Sequence, residues 1–229
     1  MEFIQSIMAH NEAVTLGTVV TYDLPVNPLS HILLTLIGER KALVDDFVVN
    51  PMSVIEAIKK IEVLYKGSAV YSMSGEDAYA CGLFVNNFET WGVNHQEIEA
   101  AHWAFTVLVP LTRVLYSPTE CFPRTTRGEL ILQLTYAASH AGFEKFVVQI
   151  ETVELPEASP AQFIKQTTLT LTPTAAIPFD LSLPIGNPIS ELVVWQHEVQ
   201  SGIDTRAAAA KMEILVDNKN HFYPESFVE

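Results

Sequence analysis

Hydrophobic positions change their spacing after the first dozen residues of the chain. In Met1–Glu12, the apolar side chains Phe3, Ile4, Ile7 and Met8 fall on one face of a helix, so this spacing predicts a short helix. A helix this short needs a neighbouring surface to lie on. Two interpretations stay open: residues 1–12 form an N-terminal arm that packs on another subunit, or they are an ordinary packed terminus.

From Val14 onward the pattern is that of short β-strands separated by turns. Val14–Tyr22 is rich in β-branched residues, and Ile32–Ile37 is almost wholly apolar, which is typical of a strand covered on both faces. The prolines of the bend Leu24–Pro28 cannot donate to a β-ladder, so they separate these two strands. Three later segments also have the composition of strands, namely Trp103–Leu108, Glu129–Tyr136 and Phe146–Val153.

Helices are expected only in the connections. Ser53–Glu56 has capping-box spacing and predicts a short helix toward Lys60, followed by a strand at Ile61–Tyr65. The segment Cys81–Val85 fits a strand or a helix end equally well. Beyond it the chain is polar and loop-like, with a helical turn expected around Gln96–His102.

One segment of the sequence occurs twice. Tyr22–Ser30 returns as Phe179–Ser190, and each copy is followed by an apolar strand. Further along, Lys60–Gly67 is matched by Lys211–Asn218, and the short helix recurs at Asp204–Ala210. A repeated β-rich unit predicts two structural modules of one kind.

The boundary between the modules is expected where two prolines interrupt the strands, at Leu155–Pro160. This gives a first module at residues 13–156 and a second, partial module at residues 157–229. The second module is expected to open with Thr167–Thr172, whose alternation directs threonines outward and leucines inward.

The second copy lacks counterparts of Tyr79–Val153. Half a β-sandwich would leave a sheet edge and an apolar face open. Three interpretations stay open: the chain is part of a longer product, a partner supplies the missing strands, or the second module folds as a reduced unit on the first.

Composition narrows the function classes. The 229 residues are 48% hydrophobic, enough for a substantial core, and 13 Lys and Arg against 27 Asp and Glu give a net charge of −14. Such a charge opposes binding to a phosphate backbone, so no direct nucleic-acid contact is expected. The acidic residues are scattered and indicate a solvated exterior.

Targeting and redox signals are few. Cys81 and Cys121 match no disulfide framework or metal motif and are expected to be buried free thiols. No signal peptide is recognised, and apolar runs such as Phe105–Leu111 are too short to span a bilayer, so we expect a protein made in the cytoplasm without a transmembrane segment.

No candidate metal-binding pattern in the sequence is complete. Glu99 and His102 have the spacing of carboxylate-bridged metal sites, but a second such pair is missing. His31 has Glu191 as its counterpart in the second copy, which indicates a structural position at the surface of a strand start. The run Asp217–Asn220 lacks the glycine and distal glutamate of a calcium loop, which favours a hairpin turn.

No nucleophile elbow, phosphate-binding loop, dinucleotide fingerprint or zinc-protease motif is present in the sequence. The dispersed Trp91, Trp103 and Trp195 are expected in cores and subunit contacts rather than in a base-stacking platform. We therefore predict no catalytic, cofactor-binding or metal-binding residues, and no cofactor.

A family resemblance rests on the duplicated pattern of strand, Leu-Pro bend, apolar strand, short excursion and further strand. This pattern resembles the double jelly-roll major capsid proteins of icosahedral, often membrane-containing viruses. The segments that carry the resemblance are Tyr22–Leu36, Lys60–Gly67, Tyr71–Tyr79, Val109–Leu111 with its loop to Pro123, and Phe179–Trp195.

The resemblance implies an all-β fold, a duplicated jelly-roll β-sandwich with an incomplete second module and short helices in loops. It also implies a structural virion protein that is not an enzyme, with homotrimers of pseudo-hexagonal outline tiling an icosahedral shell. The expected partners are further copies and other virion proteins, with an internal viral membrane nearby.

Two other classes of β-sandwich protein are alternatives to a capsid subunit. A carbohydrate- or receptor-binding β-sandwich, as in a spike or a lectin, requires an exposed aromatic platform. A cupin-like enzyme requires clustered histidines inside a barrel, whereas those of this chain are widely spaced along the sequence.

Overall fold

The computed structural model describes residues 2–41, 51–87, 92–94, 102–170, 180–184, 186–194, 215–216 and 219–220. Two units can be distinguished by their internal contacts, Met1–Pro188 and Ile189–Glu229. The first unit contains the two large sheets.

Sheet I is a five-stranded sheet whose order is β1-β9-β3-β7-β6. All its neighbouring strands pair antiparallel. Its strands are β1 (Ile4–Ala13), β3 (Leu29–Arg40), β6 (Gly92–Asn94), β7 (His102–Pro110) and β9 (Phe143–Glu154).

Sheet II has the order β10-β5-β4-β8-β2. Its pairs are antiparallel except β5 with β10, which are parallel. Its strands are β2 (Val19–Asp23), β4 (Ile58–Tyr65), β5 (Ser68–Met73), β8 (Leu130–Tyr136) and β10 (Gln166–Thr167).

The strand order is that of a jelly roll. If the short strands β6 and β10 are set aside, the eight that remain follow the chain order 1-8-3-6 in sheet I and 5-4-7-2 in sheet II. The chain thus passes repeatedly between two antiparallel sheets, as it does in an eight-stranded jelly roll. The all-β jelly-roll prediction is confirmed, and the three strands predicted from composition correspond to β7, β8 and β9.

The core lies between the two sheets and follows the alternation of the strands. In β3, Ile32, Leu34 and Leu36 point inward and are fully buried. Their neighbours Leu33 and Ile37 lie on the outer face and are half-buried. The sequence predicts a strand that is covered on both faces, but only the inner face of β3 is fully buried.

Among the described residues, two short helices lie in the connections, as expected. A 3-10 helix spans Pro51–Ala57 and ends before Lys60, because β4 begins at Ile58 and pairs there with β8. Helix α1 (Gly75–Asn86) settles the ambiguous segment Cys81–Val85 as helical. The hydroxyl of Ser74 caps α1 by accepting the Asp77 N–H at 3.0 Å.

The helix predicted over residues 1–12 is wrong, since most of this segment is strand β1. β1 pairs with β9, so it belongs to sheet I and crosses the predicted module start at residue 13. Register shifts between Ile7 and Ala9 and between Ala9 and Glu12 break the strict alternation. The apolar Phe3, Ile4 and Ile7 precede these shifts and are all exposed, so their helix-like spacing marks no face that is buried in the core.

The segment after β9 stays attached to the first sandwich. The Ala161 N–H donates to the Thr119 carbonyl at 3.1 Å, and the Phe163 ring packs on Phe122 at 4.8 Å between ring centroids. The strand predicted at Thr167–Thr172 is confined to β10 among the described residues, and Leu169 is exposed rather than inward. The module boundary at residue 156 stays a prediction.

The second unit contains β11 (Leu215–Val216) and β12 (Lys219–Asn220), which pair antiparallel as a hairpin turn requires. The apolar strand predicted after the second bend is not formed at residues 191–194. The predicted helix Asp204–Ala210 lies outside the described residues, as does most of the turn predicted around Gln96–His102.

Candidate assembly surface

The residues considered for catalysis or metal binding do not form a site in the described part of the chain. Within those ranges, no group of three His, Cys, Asp or Glu side chains could hold a metal ion. His102 begins β7 with its side chain exposed, whereas Glu99 lies outside the described residues. Of the tryptophans, Trp103 is buried, and Trp91 and Trp195 also lie outside the described residues.

Both cysteines are free thiols, as predicted. Cys121 is buried, and burial raises the pKa of its thiol to about 11. Cys81 is half-buried on α1. A thiol held protonated at neutral pH is a poor nucleophile, so Cys121 acts as a small core residue.

The first copy of the repeated bend is anchored by a buried carboxylate. The Glu154 side chain, at the end of β9, accepts a hydrogen bond from the Asn27 amide at 2.9 Å and another from the Ser6 hydroxyl at 2.6 Å. The Asn27 carbonyl oxygen in turn accepts from Arg124 at 2.9 Å. Arg124 also donates to the Pro156 carbonyl at 3.0 Å. This network joins the bend to β1, β9 and a distant loop.

His31 is held in a buried contact on the outer face of sheet I. Its Nδ1 lies 3.0 Å from the Ser30 Oγ, which also accepts the Tyr116 N–H at 2.9 Å. The Tyr116 ring meets the imidazole edge-on at 5.1 Å. Burial lowers the pKa of His31 to about 4, so the ring is neutral at physiological pH. The prediction of a surface position is wrong, because the loop after β7 covers this strand start.

That loop is closed by an ion pair. The Arg113 Nε lies 2.8 Å from one carboxylate oxygen of Glu120 and 3.1 Å from the other. Hydrogen bonding to Arg113 holds the pKa of Glu120 below its usual range. Tyr116 lies between these two residues with a left-handed φ of 65°, which a non-glycine residue adopts at some cost in free energy. The paired ends keep Tyr116 over His31.

Exposed apolar side chains gather at this end of the sandwich. The Phe3 ring packs on Tyr116 at 5.3 Å, and both rings remain partly exposed. Phe3 and Ile4 line a shallow depression whose remaining lining residues are Glu2, Pro156 and Glu157. Val114 is also exposed. We call Phe3, Ile4, Val114 and Tyr116 the apolar end, and surfaces of this kind mark protein contacts.

The outer faces of both sheets mix polar and apolar side chains. Sheet II carries an ion pair between Lys60 and Glu62 at 2.7 Å. Sheet I presents the half-buried Leu33 and Ile37, with the exposed Ile7 on its edge strand. The outer face of sheet I also carries polar groups, among them a hydrogen bond between Thr35 and Thr106, an ion pair of Lys145 with Glu39, and the Glu151 carboxylate, which accepts from Gln5 and Gln149.

Sequence reasoning singled out the bend but missed its partners. Glu154 lies 127 residues from Asn27, and Arg124 lies 97 residues from it. No local spacing can indicate contacts over such distances. The one signal available in the sequence was the repetition of the bend itself.

The fold defines this chain as a jelly-roll β-sandwich, and solved structures with the same fold are double jelly-roll viral capsid proteins. PBCV-1 VP54, fitted into a reconstruction of the virophage Sputnik, matches 67% of this chain with a TM-score of 0.50 and 13% identity. The atomic structure of Sulfolobus Turreted Icosahedral Virus matches 67% of it with a TM-score of 0.50 and 16% identity. Identities this low show the shared fold alone.

The chain spans less than half of each of these two solved chains, 41% of the first and 45% of the second. No protein-family model matches the sequence, and no curated protein does either. Among the described residues, no helix is long and apolar enough to cross a membrane.

Proposed function

We propose that this chain is a structural subunit of an icosahedral viral capsid rather than an enzyme. The observation that carries the proposal is the strand order, an eight-stranded jelly roll whose structural likenesses are viral capsid proteins. The sequence adds a second copy of the bend that opens β3. A duplicated jelly roll is the arrangement expected of a double jelly-roll capsid protein.

The proposed assembly is a homotrimer with a pseudo-hexagonal outline. Three subunits with two similar modules each, at residues 13–156 and 157–229, present six similar edges, which can tile a shell as hexagons do. The partners are further copies of the chain and other virion proteins, with no direct nucleic-acid contact. The subunit is made in the host cytoplasm, works in the virion and lies near an internal membrane where the virus has one.

The surfaces of the first sandwich support self-association. The exposed Ile7 and the half-buried Leu33 and Ile37 give the outer face of sheet I apolar surface that contact with a second copy would remove from water. With a net charge of −14, apolar contact is the main attraction available between copies.

Mass photometry and negative-stain electron microscopy of the purified full chain test the proposal. We expect a concentration-dependent trimer and pseudo-hexagonal particles. Ile7→Asp, on the outer face of sheet I, should dissociate the trimer. Val19→Asp, at a matched exposed position on the edge of sheet II, should not. The proposal is overturned if the wild-type chain is folded by circular dichroism but stays monomeric at the highest accessible concentration.

A further inference from the structure

The edges of the two large sheets differ in how well they are protected against pairing with another strand. Sheet I ends in β1, whose register with β9 shifts twice, and in β6, which is described over three residues. Sheet II ends in β10, which has two residues, and in β2. Irregular and very short edge strands are common means by which proteins prevent unwanted pairing. Neither protection is present in β2.

β2 has a regular edge. Its residues Val19–Asp23 pair with β8 one by one without a register shift, and the segment contains no proline, glycine or lysine. Among the described residues, β8 is the only strand that pairs with β2. The other edge of β2 can therefore offer its backbone N–H and C=O groups to a further strand.

The side chains of β2 suit a second copy of the same strand. Val19, Thr21 and Asp23 are exposed, whereas Val20 and Tyr22 are half-buried against the core. When two β2 strands pair antiparallel with Thr21 opposite Thr21, Val20 of each copy lies opposite Tyr22 of the other. Pairs of threonines, and pairs of an aromatic with a β-branched residue, are favourable across strands.

The charge on β2 favours the same register. Pairing centred on Thr21 places Asp23 of each copy opposite Val19 of the other. The two Asp23 carboxylates then lie four residues apart along the strands, which is roughly 14 Å. Pairing centred on Tyr22 would halve this separation, and pairing centred on Asp23 would place like charges directly opposite each other, which is destabilising. The strand is therefore most self-complementary about Thr21.

We propose that the β2 strands of two copies of this chain pair antiparallel about a twofold axis at Thr21, so that the two copies of sheet II form one continuous sheet. Main-chain hydrogen bonds supply the affinity, and the side-chain pairs fix the register. Each copy carries a net charge of −14, and Glu12 lies beside Tyr22, so added salt should strengthen the contact. The proposed trimer uses the outer face of sheet I instead, so either contact can fail without the other.

Cysteine crosslinking of the full chain tests the register. In the Thr21→Cys chain, the new cysteines of two copies lie opposite each other, about 4.5 to 5.5 Å apart between Cα atoms, which a disulfide can span. We expect a covalent dimer on a non-reducing gel after mild oxidation. Val19→Cys is the matched control on the same face of the strand, and it should stay uncrosslinked because its two copies are roughly 14 Å apart. The wild type, with Cys81 and Cys121, gives the background.

The proposal is overturned if the Thr21→Cys chain, folded by circular dichroism, does not crosslink above the wild-type background. Equal crosslinking of the Val19→Cys chain also overturns it, because the contact would then have no fixed register.

Charge variants test the same register without a covalent bond. Val19→Asp faces Asp23 of the second copy and should weaken the contact about fivefold, whereas Val19→Lys should strengthen it by a similar factor, since the twofold axis repeats the pair. Sedimentation velocity measures both, and a shift of both variants in one direction overturns the proposal. Ile7→Asp should dissociate the proposed trimer and leave Thr21→Cys crosslinking intact, which distinguishes failure of this contact from failure of the trimer.

Discussion

The two copies of the bend show how little local sequence decides about burial. Both carry Asp-Leu before the bend, Asn-Pro within it and an apolar run after it. In the first copy, that run is the central strand β3 of sheet I, and Asn27 is bound by Glu154 and Arg124. The matching side chains of the second copy are exposed. The strands β7 and β9 that flank β3 come from distant parts of the chain, and no described residue pairs as a strand with residues 186–194.

The largest contrast is expected between Leu34→Ala and Val194→Ala. Leu34 is fully buried in the core, so its truncation should lower the free energy of unfolding by about 2 to 5 kcal/mol. Val194→Ala, at the matched exposed position, should change it by less than about 0.5 kcal/mol. Urea denaturation followed by circular dichroism measures both. Equal losses would mean that Val194 is buried in solution and would remove the contrast.

The next contrast concerns how stability depends on pH at His31 and at its counterpart Glu191. The pKa of His31 is lowered to about 4 in the folded chain from 6.5, so as pH falls the unfolded state takes up the proton first. Stability from this group is complete above about pH 6.5 and is lost toward pH 4, by up to about 3 kcal/mol. The urea concentration at the midpoint of unfolding should therefore fall as the pH is lowered from 6.5 to 4.

His31→Gln should flatten this pH dependence between 6.5 and 4, because no proton is taken up at that position. Glu191→Gln, at the matched exposed position of the second copy, should leave the wild-type profile in place. A profile that is equally steep in the His31→Gln chain would assign the effect to other groups.

Asn27→Ala should have a smaller effect, about 1 to 3 kcal/mol of unfolding free energy. The substitution removes the hydrogen bond that the Asn27 amide donates to the buried Glu154 carboxylate, while the hydrogen bond from the Ser6 hydroxyl stays in place. Asn187→Ala is the matched control, and its unfolding midpoint should equal that of the wild type. Thermal and urea unfolding measure the stability of both variants. An Asn27→Ala chain as stable as the wild type would contradict the anchoring role of the network.

The smallest contrast is expected for Ser30→Ala against Ser190→Ala. Ser30 is fully buried, and its hydroxyl accepts the Tyr116 N–H, so its loss should cost about 1 kcal/mol. Hydrogen exchange should also become faster at the Tyr116 amide, which loses its acceptor. The exposed Ser190 should tolerate the change, and unchanged exchange at Tyr116 in Ser30→Ala would show that this contact is not formed.

Much of the sandwich could be predicted from sequence. Alternation and β-branched composition identified β7, β8 and β9, and the all-apolar run identified β3. The first strand could not be predicted, because its apolar residues Ile4 and Ile7 are exposed and do not follow the alternation of a strand with one buried face. The burial of His31 could not be predicted either, since Tyr116, which covers it, lies on a loop 85 residues further along the chain.

The sequence by itself determined the strands, the bend and the duplication, because alternation, proline and repeated segments act over a few residues. Only the tertiary structure decided that Glu154 anchors Asn27, that β1 joins sheet I and that His31 is buried. These outcomes depend on strands separated by more than 80 residues and brought together by the pairing of β1, β3 and β9. The apolar run that follows the bend is therefore buried in the first copy, whereas Ile189, Leu192 and Val194 of the second are exposed.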